Sequence, residues 1–129
     1  KNNTDCINCS NDLDWKFIAT VKKSVEDNMD NPSFNVDVLC NLLNMSRTSF
    51  YNKIKALTDQ APADYIRLIR LKHAAQLLKE QKHTITEISE LTGFSDAKYF
   101  REVFKKHFNM SPSQYAKRGK EGKDDKEIK

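Results

Sequence analysis

Two copies of one short unit occur in this chain, and this internal repeat restricts the fold more than any other feature. A shift of 49 residues aligns Val36 with Ile85, and after a turn a shift of 50 aligns Phe50 with Phe100. Each copy, about 30 residues long, predicts a short helix, a tight turn, a second helix and a closing Pro-x-x-Tyr segment. The extra residue in the second turn explains the change of shift.

The turn of each copy carries residues suited to a sharp change of direction. Asn44 in the first copy and Gly93 in the second belong to the residue types that best tolerate a left-handed backbone. Ser46, and either Ser95 or Asp96, stand where an N-cap would start the next helix. We therefore predict a helix-turn-helix in each copy.

The segments around the two copies are also predicted to be helical. Apolar residues recur at helical spacing from Leu13 to Met29, before a cluster of Asn, Asp and Pro. The chain contains only three Gly and three Pro. We predict an all-α fold of two tandem helix-turn-helix subdomains, joined by a long linker helix.

These elements give predicted boundaries. Residues 116–129 contain ten charges and have little to bury, which is typical of a mobile tail. The predicted parts are a disordered linker end (1–12), a helix-turn-helix domain (13–117) made of a first unit (13–62), a linker helix (63–82) and a second unit (83–117), and a disordered charged tail (118–129).

Chemistry other than binding has little support in the residues. Cys6 and Cys9 form a CxxC, but a zinc site needs two further ligands at suitable spacing, and the three His are scattered. We expect two reduced thiols, with a reactive dithiol as the alternative, and no cofactor, metal or enzymatic activity. The sequence contains no run of 18 apolar residues and does not begin with Met, so we expect an excised piece, and a membrane-anchored parent stays open.

The second helix of each copy combines an apolar face with a polar, mostly cationic one. From residue 31 onward the chain has 18 basic against 12 acidic residues, which suits nucleic acid or another acidic surface. A helix about 10–12 Å across fits the major groove. The residues predicted to point inward are Phe50, Ile54 and Leu57 in the first copy and Phe100, Val103 and Phe104 in the second.

The outward side chains have the chemistry of base and phosphate contacts. Arg and Lys bond guanine, Asn binds adenine at two points, Glu accepts from cytosine, and Thr contacts the thymine methyl. Lys53, Lys55, Lys105 and Lys106 are expected at phosphates. We hypothesise two recognition helices in groove segments about one helical turn apart. The candidate DNA-binding residues are Arg47, Thr48, Tyr51, Asn52, Lys55, Lys98, Arg101, Glu102 and Lys105.

Several of these polar and aromatic side chains could pack or form ion pairs within the protein instead of contacting DNA. Tyr51 would pack over the joining helix, Glu102 would pair with Lys98 or Lys106, and Tyr99 is expected in the core or at its rim. On the joining helix, two arginines would form ion pairs or contact DNA. These are Arg67 and Arg70, with Asp64 or Glu90 as partners.

A different function would also fit the basic surface. The alternative is a helical bundle that docks on an acidic protein, such as a polymerase subunit or a receiver domain. Salt-dependent affinity for duplex DNA, with a preference for one sequence, separates the two hypotheses.

The segment TITEISELTGFSDAKYFREVFKKHFNMSPSQY resembles the second helix-turn-helix of the AraC-type transcription regulators, whose pattern runs I-x-x-I-A, G-F, Y-F, F-K-K and P-x-x-Y. The resemblance covers residues 33–117. The chain departs from the pattern at Ser89, Asn109 and Ala116-Lys117. None of these lies on the outward face, and Asn109 indicates a left-handed backbone position.

The upstream copy is similar to the C-terminal output domains of bacterial hybrid two-component regulators, which commonly activate polysaccharide-utilisation genes. The resemblance implies a phosphorelay, upstream receiver and kinase modules, RNA polymerase as a partner, a dimeric parent, a monomeric isolated fragment and a cytoplasmic location. The family's base-reading positions fall on Thr48, Tyr51, Asn52, Lys98, Tyr99 and Glu102. Tyr99 is left out of our candidates because it is bulky and apolar on one side.

Overall fold

The computed structural model describes residues 6–118, and every regular element in that range is a helix. The all-α prediction is therefore confirmed. Residues 1–5 and 119–129, which include almost all of the predicted tail, lie outside the described part. The helices are α1 (Asp12–Asp27), α2 (Val36–Leu43), α3 (Arg47–Thr58), α4 (Pro62–Glu80), α5 (Ile85–Leu91), α6 (Ala97–Phe108) and α7 (112–118).

The predicted turn residues have the expected backbone conformations. Asn44 has φ 55° and Gly93 has φ 81°, so both turns pass through the left-handed region. The side chain of Ser46 accepts from the N–H of Ser49 and caps α3. Asp96, rather than Ser95, caps α6.

α3 and α6 are matched in length and in their ends. Each has 12 residues, and each ends at a left-handed residue, Asp59 with φ 63° and Asn109 with φ 62°. A backbone N–H from each of these residues returns to a carbonyl one turn earlier, Lys55 and Lys105. The repeat is therefore preserved residue by residue through the second helices.

Two compact units divide the described chain. The first contains residues 6–29 and Ser33–Ile69, and the second contains residues 30–32 and 70–118. The first core combines one face from each of α1 to α3 with the first part of α4. Its fully buried members include Val21, Val25, Leu39, Ile54 and Tyr65.

Aromatic rings dominate the core of the second unit. Phe100 and Phe104 have no exposed surface, and their ring centroids lie 5.7 Å apart. Phe108 and Tyr115 pack on Phe104 at 4.4 and 5.4 Å. Val103, predicted inward, is half-buried.

The buried Arg70 guanidinium supports this unit differently from the sequence prediction. It donates to the carbonyl oxygens of Thr92 at 2.8 Å and Asn31 at 3.1 Å, rather than to the predicted Asp64 or Glu90. A buried carbonyl oxygen satisfies a guanidinium without a second desolvated charge. Burial lowers the pKa of Arg70 from its ordinary value, and nearby Asp30 opposes this shift.

The segment before α1 also differs from the sequence prediction. Cys6 and Cys9 form a disulfide instead of two reduced thiols, and Cys6 is buried in the first core. The backbone N–H of Asn8 donates to the carbonyl oxygen of Leu57, which attaches this segment to the end of α3 within the first unit. The sequence predicted a disordered linker end here because a contact between residues so far apart leaves no signal in the local composition.

Candidate nucleic-acid interface

The polar sides of α3 and α6 present equivalent positions to solvent. Face 1 comprises Thr48, Tyr51, Asn52 and Lys55, and face 2 comprises Lys98, Arg101, Glu102 and Lys105; all eight side chains are exposed. Opposite them, Phe50 and Phe100 are buried at matching positions. The predicted orientation of both helices is confirmed, while the DNA contacts of individual residues stay predictions.

Face 1 borders a groove in the first unit. The groove encloses about 390 Å³ between α2, α3 and the start of α4. Tyr51 lines this groove and is 47% exposed. The lining residues are Val36, Arg47, Thr48, Tyr51, Asn52, Ala61, Pro62 and Ala63.

Arg47 is set apart from the other candidates on α3. Its guanidinium forms an ion pair with the carboxylate of Asp37 on α2, and both side chains are largely exposed. Such a pair contributes only about 0–1 kcal/mol to stability, but it gives Arg47 a local partner. In contrast, neither Thr48 nor Asn52 has a side-chain hydrogen bond among residues 6–118.

Face 2 is held by the aromatic core behind it and by its N-cap. The Asp96 carboxylate accepts from the N–H of Lys98 at 3.0 Å. In the described range Glu102 forms no ion pair with Lys98 or Lys106, the pairing that the sequence offered as an alternative to a DNA contact. Tyr99 is 43% exposed, with its ring 6.2 Å from that of Phe94, which places it at the core rim.

Two further cations have partners within the first unit. The Lys53 ammonium lies 4.9 Å from the ring centroid of Phe17, so this lysine, predicted at a phosphate, packs on α1 instead. Arg67 pairs with Asp64 at 2.6 Å, as one of the sequence alternatives predicted. Lys55 and Lys105 remain the cations shared by both faces.

The side chains of faces 1 and 2 offer hydrogen-bonding groups and positive charge. Within the described residues, no cluster of His, Cys, Asp and Glu is arranged to hold a metal ion. Burial raises the pKa of the Cys40 thiol, which disfavours the nucleophilic thiolate. None of the helices in this part of the chain is long and apolar enough to cross a membrane.

Sequence reasoning missed the surroundings of face 1. The apolar groove walls Val36, Ala61 and Ala63 come from α2 and the start of α4, and Asp37 reaches α3 across a turn. Periodicity within one helix contains no signal for such contacts. The 49-residue shift of the repeat also pairs Leu42 with Leu91, and these two apolar side chains are 59% and 39% exposed.

Comparison with known proteins identifies a shared domain. A family described as Helix-turn-helix domain matches residues 39–118. A histidine kinase P4 of Formosa agariphila is 46% identical over 106 residues, covering 82% of this chain and 8% of that protein. The Msm operon regulatory protein of Streptococcus mutans is 33% identical, covering 84% and 38%. The chain thus spans well under half of either relative.

Solved structures share the same architecture. The C-terminal domain of the two-component response regulator yesN from Fusobacterium nucleatum superposes with a TM-score of 0.71 at 27% identity, covering 78% of this chain and 98% of that one. The DNA-binding domain of the global transcriptional factor AdpA, solved with a target DNA, gives 0.70 at 25% identity, covering 77% and 88%.

Proposed function

Because this chain belongs to the AraC-type helix-turn-helix family, we propose that it binds duplex DNA sequence-specifically with α3 and α6 in successive segments of the major groove. Its fold is that of transcription-regulator domains rather than of an enzyme. The observation that carries the proposal is the equivalence of faces 1 and 2, which are exposed on helices of identical length, capped at both ends.

The side chains divide into two roles. Thr48, Asn52, Lys98 and Glu102 lie in the N-terminal halves of α3 and α6. They are suited to base edges, since recognition helices contact bases with their N-terminal residues. Lys55 and Lys105, one to two turns further along, are suited to phosphates, which supply affinity without sequence information. Each phosphate neutralised contributes about 0.9 to the slope of log affinity against log salt.

The parent protein is a further part of the proposal. Similarity to a histidine kinase and to a response-regulator C-terminal domain supports an output domain of a hybrid two-component regulator. In this view receiver and kinase modules precede the chain and a phosphorelay controls a dimeric parent that activates polysaccharide-utilisation genes with RNA polymerase. The isolated domain is then a cytoplasmic monomer, while its parent is anchored in the inner membrane.

Selection from a randomised duplex pool tests the proposal. The chain is incubated with the pool at about 50 mM and about 200 mM salt, and bound duplexes are sequenced. Enrichment of a bipartite motif, with halves about 10 base pairs apart, supports two recognition helices. Binding that fades with salt and enriches no sequence contradicts the proposal and favours a basic surface that docks on an acidic protein.

A further inference from the structure

Matching positions on the two faces carry different chemistry. Because α3 and α6 start at Arg47 and Ala97 and have equal lengths, each position on face 1 has one counterpart on face 2. Only the lysine is shared. The pairs are Thr48 with Lys98, Tyr51 with Arg101, Asn52 with Glu102, and Lys55 with Lys105.

Because of this difference, the two faces are suited to different base pairs. The amide of Asn52 can bond adenine N6 and N7 together, and the methyl group of Thr48 can contact the thymine methyl. On face 2, Lys98 and Arg101 can donate to guanine O6 and N7, while Glu102 can accept from cytosine N4. Face 1 therefore matches A·T pairs, and face 2 matches G·C pairs.

Arg47 is the residue that could give α3 a strong guanine contact at its start. The ion pair with Asp37 engages its guanidinium within the first unit. The matching position on α6 is Ala97, so this arginine is not part of the shared pattern. Lys55 does not distinguish face 1 from face 2 either, because Lys105 occupies the matching position on α6.

The groove beside face 1 favours the same assignment. Ala61 and Ala63 line it together with Val36, giving an apolar wall next to Thr48. Their counterparts in the second copy are Ser111 and Ser113. Ser111 is engaged in reciprocal hydrogen bonds with Gln114, at 3.0 and 3.2 Å. An apolar wall suits the C5 methyl of thymine, which is the apolar group exposed in the major groove.

We propose that the DNA target is asymmetric: the first unit binds an A·T-containing half-site and the second unit binds a G·C-containing half-site. This inference rests on the proposed function. It adds the base composition of each half, and it assigns Asn52 and Glu102 as the residues that set the difference.

The test is the duplex selection repeated with Asn52→Ala and with Glu102→Gln. For the unmodified chain we expect one half of the motif to be fixed at A·T pairs and the other at G·C pairs. Asn52→Ala should lower the preference at an A·T position by about tenfold and leave the other half unchanged. Glu102→Gln should move one cytosine preference towards adenine, since Gln bonds adenine N6 and N7.

The possible results distinguish the base composition of the two half-sites from sequence-specific DNA binding itself. Two halves of the same composition, or a loss of G·C preference in Asn52→Ala, would overturn the asymmetric assignment while leaving sequence-specific binding intact. A pool without any enriched motif would overturn both. Both substituted residues are exposed, so circular dichroism and thermal melting should match the unmodified chain.

Discussion

The backbone N–H of Asn8 donates a hydrogen bond to the carbonyl oxygen of Leu57 over 2.9 Å, which attaches the segment before α1 to the end of α3. The Asn8 amide adds a bond to the carbonyl oxygen of Ala56 at 2.9 Å and a longer one to Asp59. The last carbonyls of a helix lack partners within the helix. The N-terminal segment thus supplies hydrogen-bond donors to the last carbonyls of α3, the helix that carries face 1.

Replacing Asn8 by Ala should destabilise the first unit. The substitution removes the side-chain bonds and keeps the backbone bond, so we expect unfolding free energy to fall by about 1 kcal/mol. Urea unfolding followed by circular dichroism measures the change. Ile7→Ala is the matched control, because Ile7 is 64% exposed and should lose at most about 0.5 kcal/mol. Equal losses in the two variants would contradict the capping role.

The state of the cysteines can be counted chemically. In denaturant without reductant, a thiol reagent should find one thiol per chain, that of Cys40, and three after reduction. In the folded chain Cys40 should react slowly, because it is buried and burial raises its pKa. Three thiols before reduction would show that Cys6 and Cys9 are not paired in the purified protein.

Phe104→Ala should strongly destabilise the second unit. Phe104 is fully buried and packs on Phe100, Phe108 and Tyr115, so its loss leaves a cavity costing about 3–5 kcal/mol. Thermal or urea unfolding measures this. Tyr99→Ala, at the rim of the same core, is the comparison and should cost clearly less. A melting curve for Phe104→Ala that overlays the parent would rule out the core role.

Charge reversal on face 2 should remove DNA binding without unfolding the chain. Lys98→Glu with Arg101→Glu replaces two exposed cations by anions, which repel phosphates and cannot donate to guanine. The matched control, Lys79→Glu with Lys82→Glu, makes the same change of net charge outside both faces. Fluorescence anisotropy with the selected duplex should show loss of binding only in the first variant. Equal loss in both would indicate general charge attraction.

The sequence predicted those parts of the site that depend on local periodicity. Phe50 and Ile54 in α3, and Phe100 and Phe104 in α6, recur at helical spacing. The buried sides of both helices and the exposure of faces 1 and 2 could therefore be inferred before the structure. The bond from Asn8 to Leu57 and the ion pair between Asp37 and Arg47 could not. Each joins residues on separate elements, and their approach depends on how those elements pack rather than on any spacing in the chain.

Releasing Arg47 should change DNA binding at the first unit. Asp37→Ala removes the carboxylate that pairs with the Arg47 guanidinium, and both are exposed, so the fold should be kept. We expect affinity for the selected duplex to rise about threefold to tenfold at about 100 mM salt, with a salt slope steeper by about 0.9, because one more cation reaches a phosphate.

Asp27→Ala, which breaks the exposed pair with Lys23 on α1, is the matched control and should leave both quantities unchanged. If the freed Arg47 reaches a base instead, the selected motif should gain a guanine at the edge of the A·T half-site while the salt slope stays constant. An affinity, slope and motif identical to those of the unmodified chain would show that Asp37 does not restrain Arg47.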